Sequence, residues 1–417
     1  MNTEKEIKEM VKEKYGAIAQ QSKEQNQSSC CGSGCGCSNV EFSIMADDYA
    51  KLPGYVPDAD LALGCGLPTE FARIKPGDTV VDLGSGAGND CFVARSVVGE
   101  SGQVIGIDMT DAMIVKAKAN AAKLGFKNVE FKLGDIDAMP VKDNTADVVV
   151  SNCVMNLVPN KQKAFSETYR IMKNGGHFSI SDIVLQGELP EDLRKEAALY
   201  AGCISGAVQK EEYLQIIKDA GFVNTKIQKE RIIEIPNEIL AKFLSIDQLK
   251  EYKNSHIGIV SITVYAEKPW NLSFRQATEI DTAAIRSLLE NQHLPTETVG
   301  TAKTDFYLAV DNGTIIGLAG FEYYGADVLL RSVAVPASLQ KKHIGSELVE
   351  WMIALAKQKD LKRIILLTET ASKFFAKKGF RTVERSFIVN DVMKQSSQFS
   401  GGCCSSAACM VRSLEQK

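Results

Sequence analysis

Several things are missing from this 417-residue chain, and each absence narrows what it does. No apolar run approaches the roughly 18 residues that a membrane-crossing helix needs, so no membrane partner is expected. The opening, Met1 to Met10, is charged throughout and lacks the apolar centre of a secretory signal, which points to the cytoplasm. Positive charge is not in excess. The formal net charge is −4 and no basic stripe carries interleaved aromatics, which argues against a nucleic-acid partner. No repeat links the two halves of the chain. Its one prominent glycine loop, Asp82 to Gly88, has Asn at position 89, so the dinucleotide pattern Gly-x-Gly-x-x-Gly is absent. No Lys-Ser or Lys-Thr follows, which excludes a nucleotide-triphosphatase phosphate loop.

What is present is an ordinary globular composition, 45% hydrophobic and 24% charged, long enough for two or three domains. Residues 1–38 read as an opening helix, with Ile7, Met10, Val11 and Ile18 on its stripe, and then a Cys/Gly/Ser-rich arm. Residues 39–268 alternate strands and helices, the pattern of a mostly parallel sheet with helices on both faces. Within them strands are expected at Thr79–Leu83, Gln103–Asp108, Val129–Leu133, Ala146–Ser151 and His177–Ser181. Leu189 to Gly221 is mainly helical, and Asp143 and Asp147 read as turn caps. Residues 269–417 form a second, smaller α/β unit.

The cofactor signature is ordered along the first unit. An apolar strand delivers Asp82, Gly84 and Gly86 to a helix start, where small residues admit a ligand close to the backbone. Asp108 ends the next strand, placed to accept ribose hydroxyls, with Met109 beside it. Asp135 and Ile136 end the third, facing an adenine edge. Together these features resemble the class I S-adenosylmethionine-dependent methyltransferases.

Cysteine is abundant, and its count of eleven is odd, so complete internal pairing is impossible. In a cytosolic chain, reactive or metal-binding thiols are the better default. Cys65, Cys153 and Cys203 stand singly, in the contexts Leu63 to Pro68, Ser151 to Pro159 and Ala201 to Cys203. Three thiolates without a histidine suit a soft, thiophilic element rather than magnesium or calcium. These contexts, in this order around the cofactor motif, resemble arsenite methyltransferases. The resemblance implies that Cys65, Cys153 and Cys203 bind trivalent arsenic and carry the catalysis. It implies arsenite or its thiol conjugates as substrate, S-adenosylmethionine as methyl donor, and thioredoxin or glutathione restoring reduced thiols. It also implies an N-terminal cysteine used in loading or redox. Cys35 and Cys37 are both candidates for pairing with Cys65, and the arm cysteines also admit a zinc-binding reading. Two rival functions stand beside this one: a small-molecule methyltransferase with structural cysteines, and a non-catalytic metalloid sink or sensor.

In the second unit, Ser332 to Pro336 is a strand and Gln340 to Leu348 a loop entering a helix. With Phe375 to Phe380 they resemble the GNAT family of N-acetyltransferases. The resemblance implies acetyl-CoA, with Val333 and Val335 along the pantetheine arm and His343, Gly345 and Ser346 at the pyrophosphate. Two departures are visible. His343 stands where the family has its first loop glycine, and Phe375 where many members carry a tyrosine acid. Glu322 and Glu369 are candidate bases, although a solvated strand carboxylate is the preferred reading for each.

Overall fold

The structure, a computed structural model, describes residues 4–21, 48–188, 206–235, 257–387 and 406–415, with a few further positions between 237 and 255 and at 396 and 399. The chain divides into two compact units, Met1–Pro269 and Trp270–Lys417. Among the described residues no helix is long and apolar enough to cross a membrane.

The first unit is built on strands β1 (Thr79–Leu83), β2 (Gln103–Asp108), β3 (Val129–Leu133), β4 (Ala146–Asn152), β5 (Met172–Gln186), β6 (Val223–Ile233) and β7 (Gly258–Glu267). Their order is β3-β2-β1-β4-β5-β7-β6. The five strands from β3 to β5 are parallel, and β7 and β6 close the sheet antiparallel. The central strands β1, β2 and β4 are mostly apolar because both faces are covered, whereas β3 and β6 leave one face to solvent. Successive side chains alternate between two cores: Val80, Val104, Val148 and Val150 enter one, and Val81, Leu83, Ile105, Ile107 and Val149 the other.

Helices α1 (Glu4–Ala19), α2 (Asn89–Val98), α3 (Asp111–Lys123), α4 (Lys161–Ile171) and α5 (Lys210–Asp219) accompany this sheet. Helix α1 docks on α3, and Lys116 of α3 donates to the carbonyls of Ala19 and Gln21 at its end. Two expectations need correction. β5 runs well beyond His177–Ser181 because β7 pairs with it from His177 to Gln186. Asp147 lies inside β4 rather than in a turn, and ties the Thr79 N–H (2.9 Å) and Lys173 (2.6 Å) to that strand. Of the helical stretch expected over Leu189–Gly221, Lys210–Asp219 is helical and 189–205 lies outside the described residues.

The second unit carries β8 (Leu272–Gln276), β9 (Asp305–Asp311), β10 (Thr314–Tyr324), β11 (Asp327–Ala334), β12 (Arg363–Thr368), β13 (Arg381–Thr382) and β14 (Ala408–Ser413). Their order is β13-β14-β12-β11-β10-β9-β8, antiparallel except for β11 beside β12. Its helices are α6 (Thr282–Asn291), α7 (Ile344–Gln358) and α8 (Ser372–Lys377). Leu348, Val349 and Met352 of α7 pack on Phe321, Val328 and Leu330 of the sheet.

Candidate functional site

The strand order of the first unit reverses between β1 and β4, and open α/β sheets bind ligands where that happens, at the carboxyl ends of the strands. A cleft of about 1050 Å³, open to solvent at its mouth, lies there. Its wall takes residues just past each strand: Gly84 after β1, Met109 after β2, Gly134 and Asp135 after β3, Cys153 after β4. Asp82, Gly86, Asp108 and Ile136 also line it.

The glycine loop is glycine for steric reasons. Gly84, Gly86 and Gly88 have φ of +67°, +51° and +98°, in the left-handed region where side chains are strained. A Cβ on Gly84 would stand 2.4 Å from Val154 Cγ2. Asp108 secures the loop from β2: one carboxylate oxygen accepts the Gly86 N–H (2.9 Å) and the other the Thr110 N–H (2.8 Å).

The carboxylates around this loop are unusual for their burial. Burial pushes Asp82 well above the ordinary carboxylate range, and neighbouring Asp90 adds to it. Asp90 is likewise pushed up by burial to about 6, despite bonds from Tyr49, Asn152 and Thr69. Asp108 is raised by burial as well. Buried like charges crowded together favour a ligand that brings positive charge to them. Across the cleft, Asp135 Oδ1 is buried without a hydrogen-bond partner among the described residues, an acceptor open to a donor.

Sequence reasoning missed a wall supplied by α1. Lys8 and Tyr15 line the cleft, and Lys8 Nζ sits 2.8 and 2.9 Å from the Asp137 oxygens and 3.5 Å from Asp135 Oδ2. A lysine recurring on the sheet side of a charged helix leaves no local signal.

Next to the cleft lies the sulfur cluster. Cys65 and Cys153, from loops 88 residues apart in sequence, meet with Asp182 of β5 so that their ligand atoms lie within 4.8 Å of one another, all three residues buried. Cys65 is held by its backbone: its N–H donates to Asn152 Oδ1 (3.0 Å) and its carbonyl accepts from Ser261 Oγ (2.6 Å). Cys153 is held left-handed, with φ of 62°, and its N–H donates to the Ser181 carbonyl (2.8 Å). That strained conformation turns the chain at the tip of β4, and strain of this kind is kept where neighbours over-determine it. Cys203, Cys35 and Cys37 lie outside the described residues. Cys91 packs in the core of α2, its thiol donating to Asp82 Oδ2 (3.3 Å).

Asp182 was not singled out from sequence. Its signal was a lone acid within the apolar strand Phe178–Leu185. Burial pushes its carboxyl up to about 7, against bonds from the Ile183 N–H and Tyr213 and the attraction of Lys161. Burial lowers Lys161, while Asp182 and Glu212 raise it.

In the second unit Val335, His343, Gly345 and Ser346 line one concavity with Phe374 and Lys377. Val333 stands in β11, one residue before the strand ends. His343 takes the left-handed backbone (φ 64°) that a glycine would take without strain, and begins α7. The first N–H groups of that helix face where an anion would bind. Phe375 is buried against Phe374 and Phe380, with ring centroids at 5.0 and 5.6 Å, and offers no acid. Glu322 corrects the solvated reading: it is buried and ion-paired with the wholly buried Arg331, and also accepts from Thr304, Tyr324 and Ser396. Burial raises that carboxyl, but those bonds outweigh it and hold it below the ordinary range. Glu369 is exposed.

Comparison with known proteins follows this division. A methyltransferase-domain family model matches residues 74–221, and an acetyltransferase (GNAT) domain model residues 302–382. An arsenite methyltransferase of Halobacterium salinarum is 40% identical over 279 residues, covering 63% of this chain and 67% of that one. One from Aquipseudomonas alcaligenes is 34% identical over 245 residues, 57% of this chain and 68% of its own. A Homo sapiens relative of the same name is 37% identical over 192 residues, 43% and 50% of the two chains. Among solved structures, an arsenic(III) S-adenosylmethionine methyltransferase from Chlamydomonas reinhardtii is 32% identical over 50% of this chain and 69% of that one, with a TM-score of 0.43.

Proposed function

The chain belongs to the arsenite methyltransferase family and carries a GNAT acetyltransferase domain after its methyltransferase domain, and from that premise we propose that it methylates trivalent arsenic held by Cys65, Cys153 and Cys203. The observation that carries this reading is the meeting of Cys65 and Cys153 in a buried cluster beside the cleft, since Cys153 lines both.

The residues present suit S-adenosylmethionine. The buried Asp82 and Asp90 would hold its positive charges, Asp108 its ribose hydroxyls, and Asp135 Oδ1, open among the described residues, the amino group of its adenine. Met109 and Ile136 would contact the ring, and the glycines of the loop would let the ligand approach the backbone. When bound, this molecule supplies an electrophilic methyl group on a cationic sulfur.

The protein's contribution is orientation and dryness. Thiolate-bound arsenic keeps a lone pair, so arsenic itself is the nucleophile and no general base is needed at the methyl. Asn152 fixes the Cys65 loop, and the left-handed turn at Cys153 fixes the other thiol, which lowers the entropy lost in reaching the reacting geometry. Transfer consumes the arsenic lone pair. Return to the trivalent state takes two electrons, which a pair of thiols supplies on closing a disulfide. Cys35 or Cys37 with Cys65 is the proposed pair, reopened by thioredoxin or glutathione.

For the second unit we propose acetyl-CoA binding at the start of α7, with His343, Gly345 and Ser346 at the phosphates and Val333 and Val335 along the pantetheine. Phe375 and the saturated Glu322 leave acid–base work to other groups or to the thiol itself.

The test is a single-turnover incubation of reduced protein with arsenite, thiol and labelled S-adenosylmethionine, with arsenic species separated by chromatography. Methylated arsenic is expected from the wild type and none from Cys153→Ser, while S-adenosylmethionine binding is kept. Methylation retained by Cys153→Ser overturns the ligand assignment.

A further inference from the structure

Arsenic bound by only two cysteines is incomplete, and the structure supplies an oxygen where the third neighbour belongs. Because the ligand atoms of Cys65, Cys153 and Asp182 lie within 4.8 Å of one another, a single atom between them comes within about 3 Å of each, close to the reach of a metal–thiolate bond. Among the described residues Asp182 also keeps one acceptor position open. A carboxylate offers about four acceptor positions. Three are taken, by the Ile183 N–H (2.9 Å), the Tyr213 hydroxyl (3.2 Å) and the Asn156 N–H.

The chemistry of loading leaves a group that fits this position. Arsenite enters as its trihydroxide. Each thiol that joins it forms one As–S bond and breaks one As–O bond, and the S–H proton leaves with the displaced hydroxide as water. After Cys65 and Cys153 have reacted, one hydroxyl remains on arsenic.

We propose that the Asp182 carboxyl hydrogen-bonds this arsenic-bound hydroxyl, so that the protein first holds arsenic in a sulfur–sulfur–oxygen pocket before a third thiol displaces the oxygen. Asp182 is thus a positioning residue. Two sulfurs alone leave arsenic able to swing about the line between them, and a tether on the third substituent stops that rotation and fixes where the lone pair points. Tyr213 and the Ile183 N–H hold the carboxyl in place, and Cys153 also lines the cleft beside Gly64 and Asn152. The proposal rests on the reading of Cys65 and Cys153 as arsenic ligands.

Two experiments on the full-length chain test it with arsenite as the probe. In the first, the release of bound arsenite is followed after dilution into excess dithiol. Asp182→Ala should speed release about tenfold, the worth of one buried hydrogen bond, whereas Asp182→Asn, which keeps a carbonyl oxygen, should stay within about threefold of wild type. Equal release rates in Asp182→Ala and wild type overturn the proposal. In the second, x-ray absorption counts arsenic neighbours in the Cys203→Ser chain and in the same chain with Asp182→Cys. The proposal expects two sulfurs in the former and three in the latter, because the new thiol faces the arsenic. Two sulfurs in both means that position 182 faces elsewhere. If arsenite binding instead survives Cys65→Ser and Cys153→Ser together, the underlying ligand assignment fails, a result separate from either of these.

Discussion

Asp182 should make stability fall as pH rises, a direction opposite to ordinary acid denaturation, and replacing it with asparagine should remove that dependence. Burial holds the carboxyl at about 7 in the folded chain, against an ordinary value of 3.8. An acid that grips its proton more tightly when folded stabilises the fold below its unfolded pKa, and that contribution is lost as pH rises through the folded value. Between pH 5 and 8 the wild type should therefore lose about 3 kcal/mol through this group, at roughly 1.4 kcal/mol per unit over the two units from 5 to 7. Asparagine does not titrate, so Asp182→Asn escapes that loss. The charged or titratable groups facing this position, Lys161, Tyr213, Cys65 and Cys153, are common to both proteins, as is the raised Asp90, so the difference isolates one group. At about 2–4 °C per kcal/mol for a unit of this size, the variant's melting temperature should gain roughly 6–12 °C on the wild type's from pH 5 to pH 8. Differential calorimetry of the arsenic-free full-length proteins, following the first unit's transition, measures it. Parallel curves would refute the reasoning and mean that the folded carboxyl is ionised well below 7.

Three further outcomes follow from other parts of the molecule. Gly84→Ala forces a left-handed alanine into the Val154 side chain and should cost about 3 kcal/mol and abolish S-adenosylmethionine binding, checked by calorimetric titration and thermal unfolding. Lys8→Ala removes the tie between α1 and Asp137; amide hydrogen exchange across 4–19 should speed several-fold while the sheet strands stay protected, and unchanged exchange would mean that α1 is held by its packing on α3 alone. Arg331→Met strands the buried Glu322 without its counter-charge and should destabilise the second unit by about 3–5 kcal/mol; Arg331→Met with Glu322→Gln should recover much of it, and no recovery would remove the ion pair as the cause.

Legibility in the sequence tracked how local each feature is. The glycine loop, Asp108 and Asp135 each sit at a strand end, and the strand–loop–helix rhythm that announces them is written in consecutive residues. The parallel sheet was legible for the same reason, its central strands β1, β2 and β4 being mostly apolar on both faces. Asp182 and Lys8 were not, because each gains its meaning from a partner distant in sequence. The missed extension of β5 has that origin too: its later residues are a strand because β7, more than 70 residues on, pairs with them. Glu322 misled for a related reason. An acid in an alternating strand reads as facing water, and only the fold puts Arg331 beside it.

Asn152 has a wider consequence. Its Oδ1 receives the Cys65 N–H, while its Nδ2 donates to the Gly66 carbonyl and to the Tyr49 hydroxyl, which in turn donates to Asp90 in the cofactor cleft. One amide is therefore shared by the Cys65 loop and the wall of the cleft. On the proposed ligand assignment, two ligands that each bias this common element are bound by thermodynamic reciprocity: whatever factor the sulfonium ligand adds to arsenic affinity, arsenic must return to it in full.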